Sequence, residues 1–275
     1  MSYREKMKRW GILKRDRDPS LPYEWYEWLY YEADLKLLQN FDKEYFFIFR
    51  NRTNMIQFGR IIMLVLLSFN ILLTLMVWNI EMLFYFTHWT LLLTTASIAM
   101  SYRIASDTNA PKNIGRMAVH HLLYTLSIIF NCVSFPIYWI LIHDEVTYLI
   151  KHTQRWKYAQ QIINHLLPPA CCLIHTYLTN CVLTRKLIKH ILLGGLSYLS
   201  LDYFYVKVTG DTVFWFLHWE TMETPIFGIT LVLGFGFVYI LVCGLDEIVK
   251  EEGLNLKFKK ALFSKVRAQK TKKIM

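Results

Sequence analysis

Long apolar stretches separated by short charged segments are the dominant pattern of this chain. Six of the stretches have about the 20 residues that an α-helix needs to cross a bilayer. The pattern therefore predicts an all-α, polytopic membrane protein, a bundle of six transmembrane helices, with a kink at Pro136 in the third. The predicted spans are Ile61–Ile80, Met82–Tyr102, Met117–Ile142, Ile162–Leu183, Leu187–Val206 and Pro225–Leu245.

The spans divide the chain into three regions. Residues 1–60 form a basic and aromatic N-terminal arm, residues 61–251 the six-span membrane domain, and residues 252–275 a basic C-terminal tail. The arm alternates Trp, Tyr and Phe with charged residues. Such a segment is suited to lie at a membrane interface or in a groove of a partner protein, or to form a helix packed on the protein's own cytoplasmic face. Thr212–Trp219 is apolar but too short to cross, so we expect a re-entrant or interfacial turn there.

Polar residues recur at helical spacing inside three predicted spans, which places them on one face of each helix. Because lipid cannot satisfy hydrogen bonds, such faces are expected to meet protein or a water-filled cavity. Helix–helix hydrogen bonding explains any one stripe, whereas three stripes that include His and Asn favour a shared internal pocket. The stripes are Thr87, Thr90, Thr94 and Ser101 in the second span, His120, Tyr124, Ser127, Asn131 and Ser134 in the third, and His165, Pro169, Cys172, Thr176 and Thr179 in the fourth.

Composition and charge narrow the class of protein. With 54% hydrophobic and 16% aromatic residues, a disordered chain is excluded and a soluble globular domain is disfavoured. The formal net charge is +10, but all except four of the 31 lysines and arginines lie near the two ends or in Arg103–Arg116 and Thr184–Lys189. This distribution favours membrane lipids or acidic proteins over nucleic acid as partners. It also places both termini on the cytoplasmic or matrix side, with the endomembrane system and the mitochondrial inner membrane both open.

Two residues of the stripes are suited to ester chemistry. The second and fourth spans run in the same direction in this topology, and Thr87 and His165 both lie within about two turns of the outer ends of their spans. The two side chains can therefore meet. A hydroxyl beside an imidazole is the minimum for an activated nucleophile, because the histidine takes the proton as the oxygen attacks a carbonyl.

Each supporting residue has two interpretations. Asp202, near the outer end of the fifth span, either orients His165 or reaches interfacial water. Asn131 either donates to a developing oxyanion or bonds a neighbouring backbone group. We predict no cofactor and no metal, although Asp202, His165, His88 and His218 form a conceivable ligand set.

Two motifs resemble those of a known family. YFTHWTLLL at Tyr85–Leu93 and RWKYAQQIINHLLPP at Arg155–Pro169 are similar to segments of the androgen-induced membrane protein family, to which the fly rolling-stone proteins look distantly similar. The resemblance covers roughly Ile61–Glu251. It implies six spans and an atypical threonine hydrolase acting on fatty-acid esters of hydroxy fatty acids, with the nucleophile at Thr87 and the histidine at His165.

Two functions from different classes follow. The first is a membrane-embedded lipid-ester hydrolase with acyl chains between the spans. The second is a non-catalytic accessory subunit that keeps the fold within a large membrane assembly, such as a respiratory complex of the mitochondrial inner membrane. The N-terminal arm and basic tail suit docking, and His88-Trp89-Thr90 stands where the family usually has an asparagine shortly after the threonine. A transporter or channel is disfavoured, because the spans lack paired charges and interrupted half-helices.

Overall fold

The computed structural model describes residues 53–106, 114–179, 181, 183, 185–214 and 216–246. Within these ranges all regular secondary structure is helical, which confirms the predicted all-α class. Residues 1–52 of the predicted N-terminal arm and the whole predicted tail, residues 252–275, lie outside the described residues. The structure therefore bears on the membrane domain and not on the two predicted docking segments.

A long helix occupies the position of each predicted span. The α-helices are α1 (Thr53–Trp78), α2 (Phe86–Ser106), α3 (Ile114–Ile137), α4 (His143–Ile150), α5 (Arg155–Leu178), α6 (Ile188–Thr209) and α7 (Glu223–Asp246). Turns of 3₁₀ helix precede α2 (Asn79–Phe84) and α6 (Arg185–Leu187), and a π-helical turn, Tyr138–Ile142, follows α3.

Three helical segments are long and apolar enough to cross a membrane, namely Met55–Trp78, Gly115–Ile142 and Glu223–Asp246. They also present large apolar side chains to the outside. Phe69 of α1 is 61% exposed, and Leu233 of α7 is 63% exposed. Since water-soluble proteins rarely expose wide apolar surface, these faces are suited to lipid. The described part of the chain thus has the features of a membrane-associated helical protein.

The central element of the described bundle is α2, which contacts α1, α3 and α5. Its predicted polar stripe is buried throughout. On its apolar side, Phe86 packs against Phe130 of α3 and Phe235 of α7, with ring centroids 5.0 Å and 5.4 Å apart. The helix therefore buries both an aromatic ring, which packs on α3 and α7, and a row of hydroxyl groups, which reach α3 and α5.

Pro136 lies inside α3, one residue before its end. It has no N–H to bond the carbonyl four residues earlier. The chain continues directly into the π-helical turn at Tyr138. Such turns change the direction in which side chains project and are frequent at functional sites. Here the π turn carries an aromatic side chain toward α5.

The structure corrects the predicted position of Arg60. The first helix begins at Thr53 and not at Ile61, so Arg60 lies inside α1 and is fully buried. Its guanidinium donates to the carbonyl oxygen of Ser101 and to Oγ1 of Thr179, each over 3.3 Å. The sequence does not distinguish these two cases, because an arginine at the edge of an apolar run can either reach water or turn into the protein.

The connection between α6 and α7 is irregular in its described residues. Gly210 ends α6 in the left-handed conformation, with φ at 77°, and its N–H bonds the carbonyl of Val206 over 2.9 Å. Beyond it, the short apolar segment predicted to form a turn has no helix. Its Leu217 is fully buried, so the segment folds back on the bundle.

Candidate active site

The first turn of α2 positions Thr87. The 3₁₀ turn Asn79–Phe84 connects α1 to α2, and the next helix starts at Phe86. Oγ1 of Thr87 lies 3.2 Å from Nε2 of His165 in α5. Both side chains are buried, with exposed fractions of 7% and 5%. The two residues, 78 positions apart, therefore meet, as their predicted depths allowed.

The ring of Tyr138 lies flat against the imidazole of His165. Their centroids are 3.4 Å apart and their planes differ by 7°. Tyr138 is 1% exposed, and its hydroxyl lies 3.3 Å from Nδ1 of His143 at the start of α4. The sequence reasoning missed Tyr138, although its position two residues after Pro136, at the disrupted end of a span, was a usable signal.

Asp202 does not orient His165 in this structure. Its Oδ2 accepts a hydrogen bond of 2.6 Å from Nε1 of Trp219 in the α6–α7 connection. Among the described residues, neither Oδ1 of Asp202 nor Nδ1 of His165 has a hydrogen-bond partner. The carboxylate is fully buried, so it does not reach water either. Both predicted roles of Asp202 are therefore replaced by a third one, which is to hold the connection that carries Trp219.

Asn131 is bonded deeper in the bundle than the Thr87–His165 pair. Its Nδ2 donates to Oγ1 of Thr94 and to the carbonyl of Ser127, both over 2.8 Å. Thr94 lies two helical turns beyond Thr87 along α2, about 10 Å away. Because both amide hydrogens are used there, Asn131 is not placed as an oxyanion donor. The backbone-bonded interpretation of Asn131 agrees with the structure.

The other histidines considered at the outer end have local partners. Nδ1 of His88 lies 2.9 Å from the carbonyl of Met82 and must carry the hydrogen, since a carbonyl only accepts. Nδ1 of His218 lies 3.1 Å from Oγ1 of Thr224. Within the part of the chain that the structure describes, no three His, Cys, Asp or Glu side chains are grouped so as to hold a metal ion.

A cluster of amide and hydroxyl side chains joins α1 to α5 beside His165. Oδ1 of Asn164 accepts from Nδ2 of Asn70 over 2.8 Å, and Nε2 of Gln160 donates to Oγ1 of Thr74 over 2.7 Å. All four side chains are buried. The sequence analysis missed them, though Asn70 with Thr74 and Gln160 with Asn164 are each spaced one helical turn apart.

A second hydroxyl–imidazole cluster lies at the opposite end of α2. Oγ of Ser101 contacts Nε2 of His120 and lies 3.2 Å from Nε2 of His175. Nδ1 of His175 lies 3.3 Å from Oγ1 of Thr179, which also accepts from the buried Arg60. Ser101 is 14 residues along α2 from Thr87, about 21 Å, so this cluster is separate from the Thr87 site.

The geometry at Thr87 permits nucleophilic chemistry. When Nδ1 of His165 carries the hydrogen, Nε2 is free to accept the proton of the Thr87 hydroxyl. The first turn of α2 adds the backbone N–H of Thr87, for which the helix itself provides no acceptor, whereas the N–H of Phe86 is bonded to the hydroxyl of Tyr198. Backbone donors beside a nucleophile are suited to a developing oxyanion. The described residues thus supply a hydroxyl and a backbone donor in the first turn of α2, and a base on α5.

Comparisons of the chain with models of known protein families, with curated proteins and with solved structures found no match. The resemblance to the androgen-induced membrane protein family therefore stays a prediction from the two motifs. The geometric agreement is limited to one relationship, in that the threonine and the histidine that the motifs pick out are in contact.

Proposed function

We propose that the chain is a membrane-embedded lipid-ester hydrolase in which Thr87 is the nucleophile and His165 the base. The observation that carries this proposal is the buried 3.2 Å contact between Oγ1 of Thr87 and Nε2 of His165. The nucleophile is on α2 and the base on α5, and these two helices are in contact over part of their length. A pair of this kind is suited to a substrate that enters from the apolar surroundings of the bundle.

The reaction has two stages. His165 takes the proton of Thr87 as the oxygen attacks the ester carbonyl, and the carbonyl oxygen, now negative, faces the backbone N–H of Thr87 at the start of α2. Collapse of the tetrahedral intermediate breaks the bond between the carbonyl carbon and the alcohol oxygen. The alcohol leaves with the proton from His165, and Thr87 is left as an acyl-threonine. Water, activated by His165, then cleaves the acyl-threonine and releases the fatty acid.

The proposal includes a six-span arrangement with both termini on the cytoplasmic or matrix side. Support comes from the three segments that are apolar enough to cross and from α2, α5 and α6, which are of similar length but more polar. Polar helices cross membranes when their polar faces meet other protein. The buried stripe of α2 satisfies that condition. Membrane lipids and a lipid ester with a long acyl chain are the expected partners.

The test is turnover of a fatty-acid ester of a hydroxy fatty acid by the purified protein in detergent. Thr87→Ala and His165→Ala should each lower kcat by about 10²- to 10⁴-fold, and Thr87→Ser should keep part of it. Thr95→Ala is a matched control, because Thr95 is on the same helix but its hydroxyl donates to the backbone carbonyl of Leu91, one turn earlier, over 2.8 Å. Labelling by a fluorophosphonate probe should require Thr87. Wild-type turnover in both alanine variants would overturn the proposal.

A second candidate is a non-catalytic accessory subunit of a larger membrane assembly. The observation that favours it is the incomplete site, because no described acid bonds Nδ1 of His165 and Asn131 is engaged two turns away. Such a subunit keeps the Thr87–His165 contact only as a helix–helix hydrogen bond. It predicts no labelling at Thr87 and co-purification with other membrane proteins that depends on residues 1–52.

A further inference from the structure

The imidazole of His165 lacks the usual means of orientation. In hydroxyl–imidazole sites an acid commonly bonds the second ring nitrogen and so fixes both the tautomer and the plane of the ring. Here Nδ1 has no partner among the described residues, and Asp202 is bonded to Trp219. The torsion that turns an imidazole about its Cβ–Cγ bond is broad. Something other than a hydrogen bond at Nδ1 must therefore hold Nε2 toward Thr87.

We propose that Tyr138 is a positioning residue that holds the imidazole of His165 by face-to-face stacking, in the place that an acid has in other sites. The inference rests on the proposed function, since it concerns how the base of that reaction is oriented. A separation of 3.4 Å between centroids with planes 7° apart leaves the imidazole no room to rotate toward Tyr138. Contact with Thr87 at the ring edge then fixes Nε2.

Tyr138 is itself held in a defined position. It begins the π-helical turn after α3 and is 1% exposed. Its hydroxyl lies 3.3 Å from Nδ1 of His143, and its ring meets that of Trp139 edge-on at 5.2 Å. Local backbone geometry, a hydrogen bond and ring packing thus all restrain the tyrosine. A restrained ring can transmit its orientation to the imidazole stacked on it.

Stacking also suits the charge that forms during the reaction. His165 becomes an imidazolium when it takes the proton of Thr87, and a cation over an aromatic face within about 6 Å is attracted by the ring. A carboxylate in the same apolar place would itself be expensive to bury. An aromatic face therefore orients the base and stabilises its charged form without a buried acid.

The experiment compares Tyr138→Phe, which keeps the ring and loses the hydroxyl, with Tyr138→Leu, which loses the stack. We expect Tyr138→Phe to keep most of the wild-type kcat and Tyr138→Leu to lose about 10²-fold in kcat, as misplacement of a catalytic group does, with little change in KM. Tyr124→Leu is a matched control, since Tyr124 is a fully buried tyrosine of α3, the helix before the π turn, and packs against His175 at 5.7 Å instead of His165. It should lower thermal stability and keep kcat.

A second readout does not depend on activity. In protein with ¹³C-labelled histidine, the His165 signal should show the ring-current shift of a stacked imidazole, which Tyr138→Phe keeps and Tyr138→Leu removes. The inference would be overturned if a folded Tyr138→Leu variant had wild-type kcat, or if Tyr138→Phe lost as much kcat as Tyr138→Leu. If no variant shows Thr87-dependent turnover, the proposed function fails, and the histidine shift alone decides whether Tyr138 orients the ring.

Discussion

Asn70 of α1 donates a hydrogen bond of 2.8 Å to Oδ1 of Asn164, the residue that immediately precedes His165 in α5. The bond is reinforced in the other direction, because Nε2 of Gln160 lies 2.9 Å from Oδ1 of Asn70. Asn70 and Asn164 are 1% and 0% exposed. Two asparagines that are 94 positions apart thus link α1 to α5 next to the candidate base. The position of His165 therefore depends on α1 as well as on α5.

Replacing Asn70 by leucine should destabilise the protein. The apolar side chain leaves Oδ1 of Asn164 with fewer donors in a buried site, at a cost of about 1–2 kcal/mol. The measurement is the free energy of unfolding from a denaturant titration in micelles. The double variant Asn70→Leu/Asn164→Leu should cost less than the sum of the single variants, because both partners of one bond are then removed together. Strict additivity would show that the bond does not contribute.

Arg60 should not tolerate lysine. Its planar guanidinium reaches the carbonyl of Ser101 and the hydroxyl of Thr179 from two different nitrogens, a geometry that a single ammonium group does not reproduce. We expect Arg60→Lys to lower the melting temperature of the purified protein clearly. Arg103→Lys, an exposed arginine at the end of α2, is the matched control and should leave it unchanged. Equal melting temperatures for the two variants would contradict the buried role of Arg60.

Sequence periodicity predicted the buried polar stripes of α2 and α3, since a polar face of an apolar helix must turn away from lipid. In α5 it was right for His165, Cys172 and Thr179 only, because Pro169 and Thr176 are partly exposed. It also predicted that Thr87 and His165 lie at similar depth. The pattern of one helix does not show which neighbour faces it, so the partners of Asn131 and Asp202 were not accessible to this reasoning. Each of these side chains can form hydrogen bonds with several different partners, and tertiary packing selects among those partners.

Other features were missed because the local signals that mark them are weak. Tyr138 is one aromatic residue among many in an apolar span, and its stacking on His165 depends on the π-helical turn behind Pro136. Gln160 lies before the predicted start of the fourth span at Ile162, whereas α5 begins at Arg155. Polar residues at span ends are read as exposed flanks, so helix ends that continue into the protein hide part of the polar cluster.

Two glycines on neighbouring helices should respond oppositely to alanine. A Cβ at Gly194 of α6 would lie 2.8 Å from Cζ of Phe130, a buried ring packed between Phe86 and Phe235. A Cβ at Gly234 of α7 would meet nothing within 4 Å. Gly194→Ala should therefore lower the melting temperature, because overpacking of a buried site destabilises a protein by about 1–3 kcal/mol. Gly234→Ala should raise it or leave it unchanged, since alanine favours the helix by about 1 kcal/mol.

The reverse ranking of these two variants in a thermal melt would show that α3 and α6 do not approach each other as described. Because both changes add the same methyl group to a helix, differences in expression or detergent binding are largely matched. The comparison therefore isolates the packing of Phe130 against α6.

Asp202 offers a test of whether the candidate site uses an acid. Asp202→Asn keeps a side-chain oxygen that can accept from Nε1 of Trp219, so the α6–α7 connection should stay in place. Trp219→Phe removes the donor from the fully buried carboxylate and should increase hydrogen exchange in residues 210–222.

For Asp202→Asn we expect turnover and Thr87 labelling close to wild type, because Asp202 does not bond His165. In sites where an acid orients the base, a change of that acid to asparagine lowers kcat on the order of 10⁴-fold. A loss of that size in Asp202→Asn would mean that the carboxylate turns toward His165 during the reaction, and stacking on Tyr138 would then be insufficient to orient the imidazole.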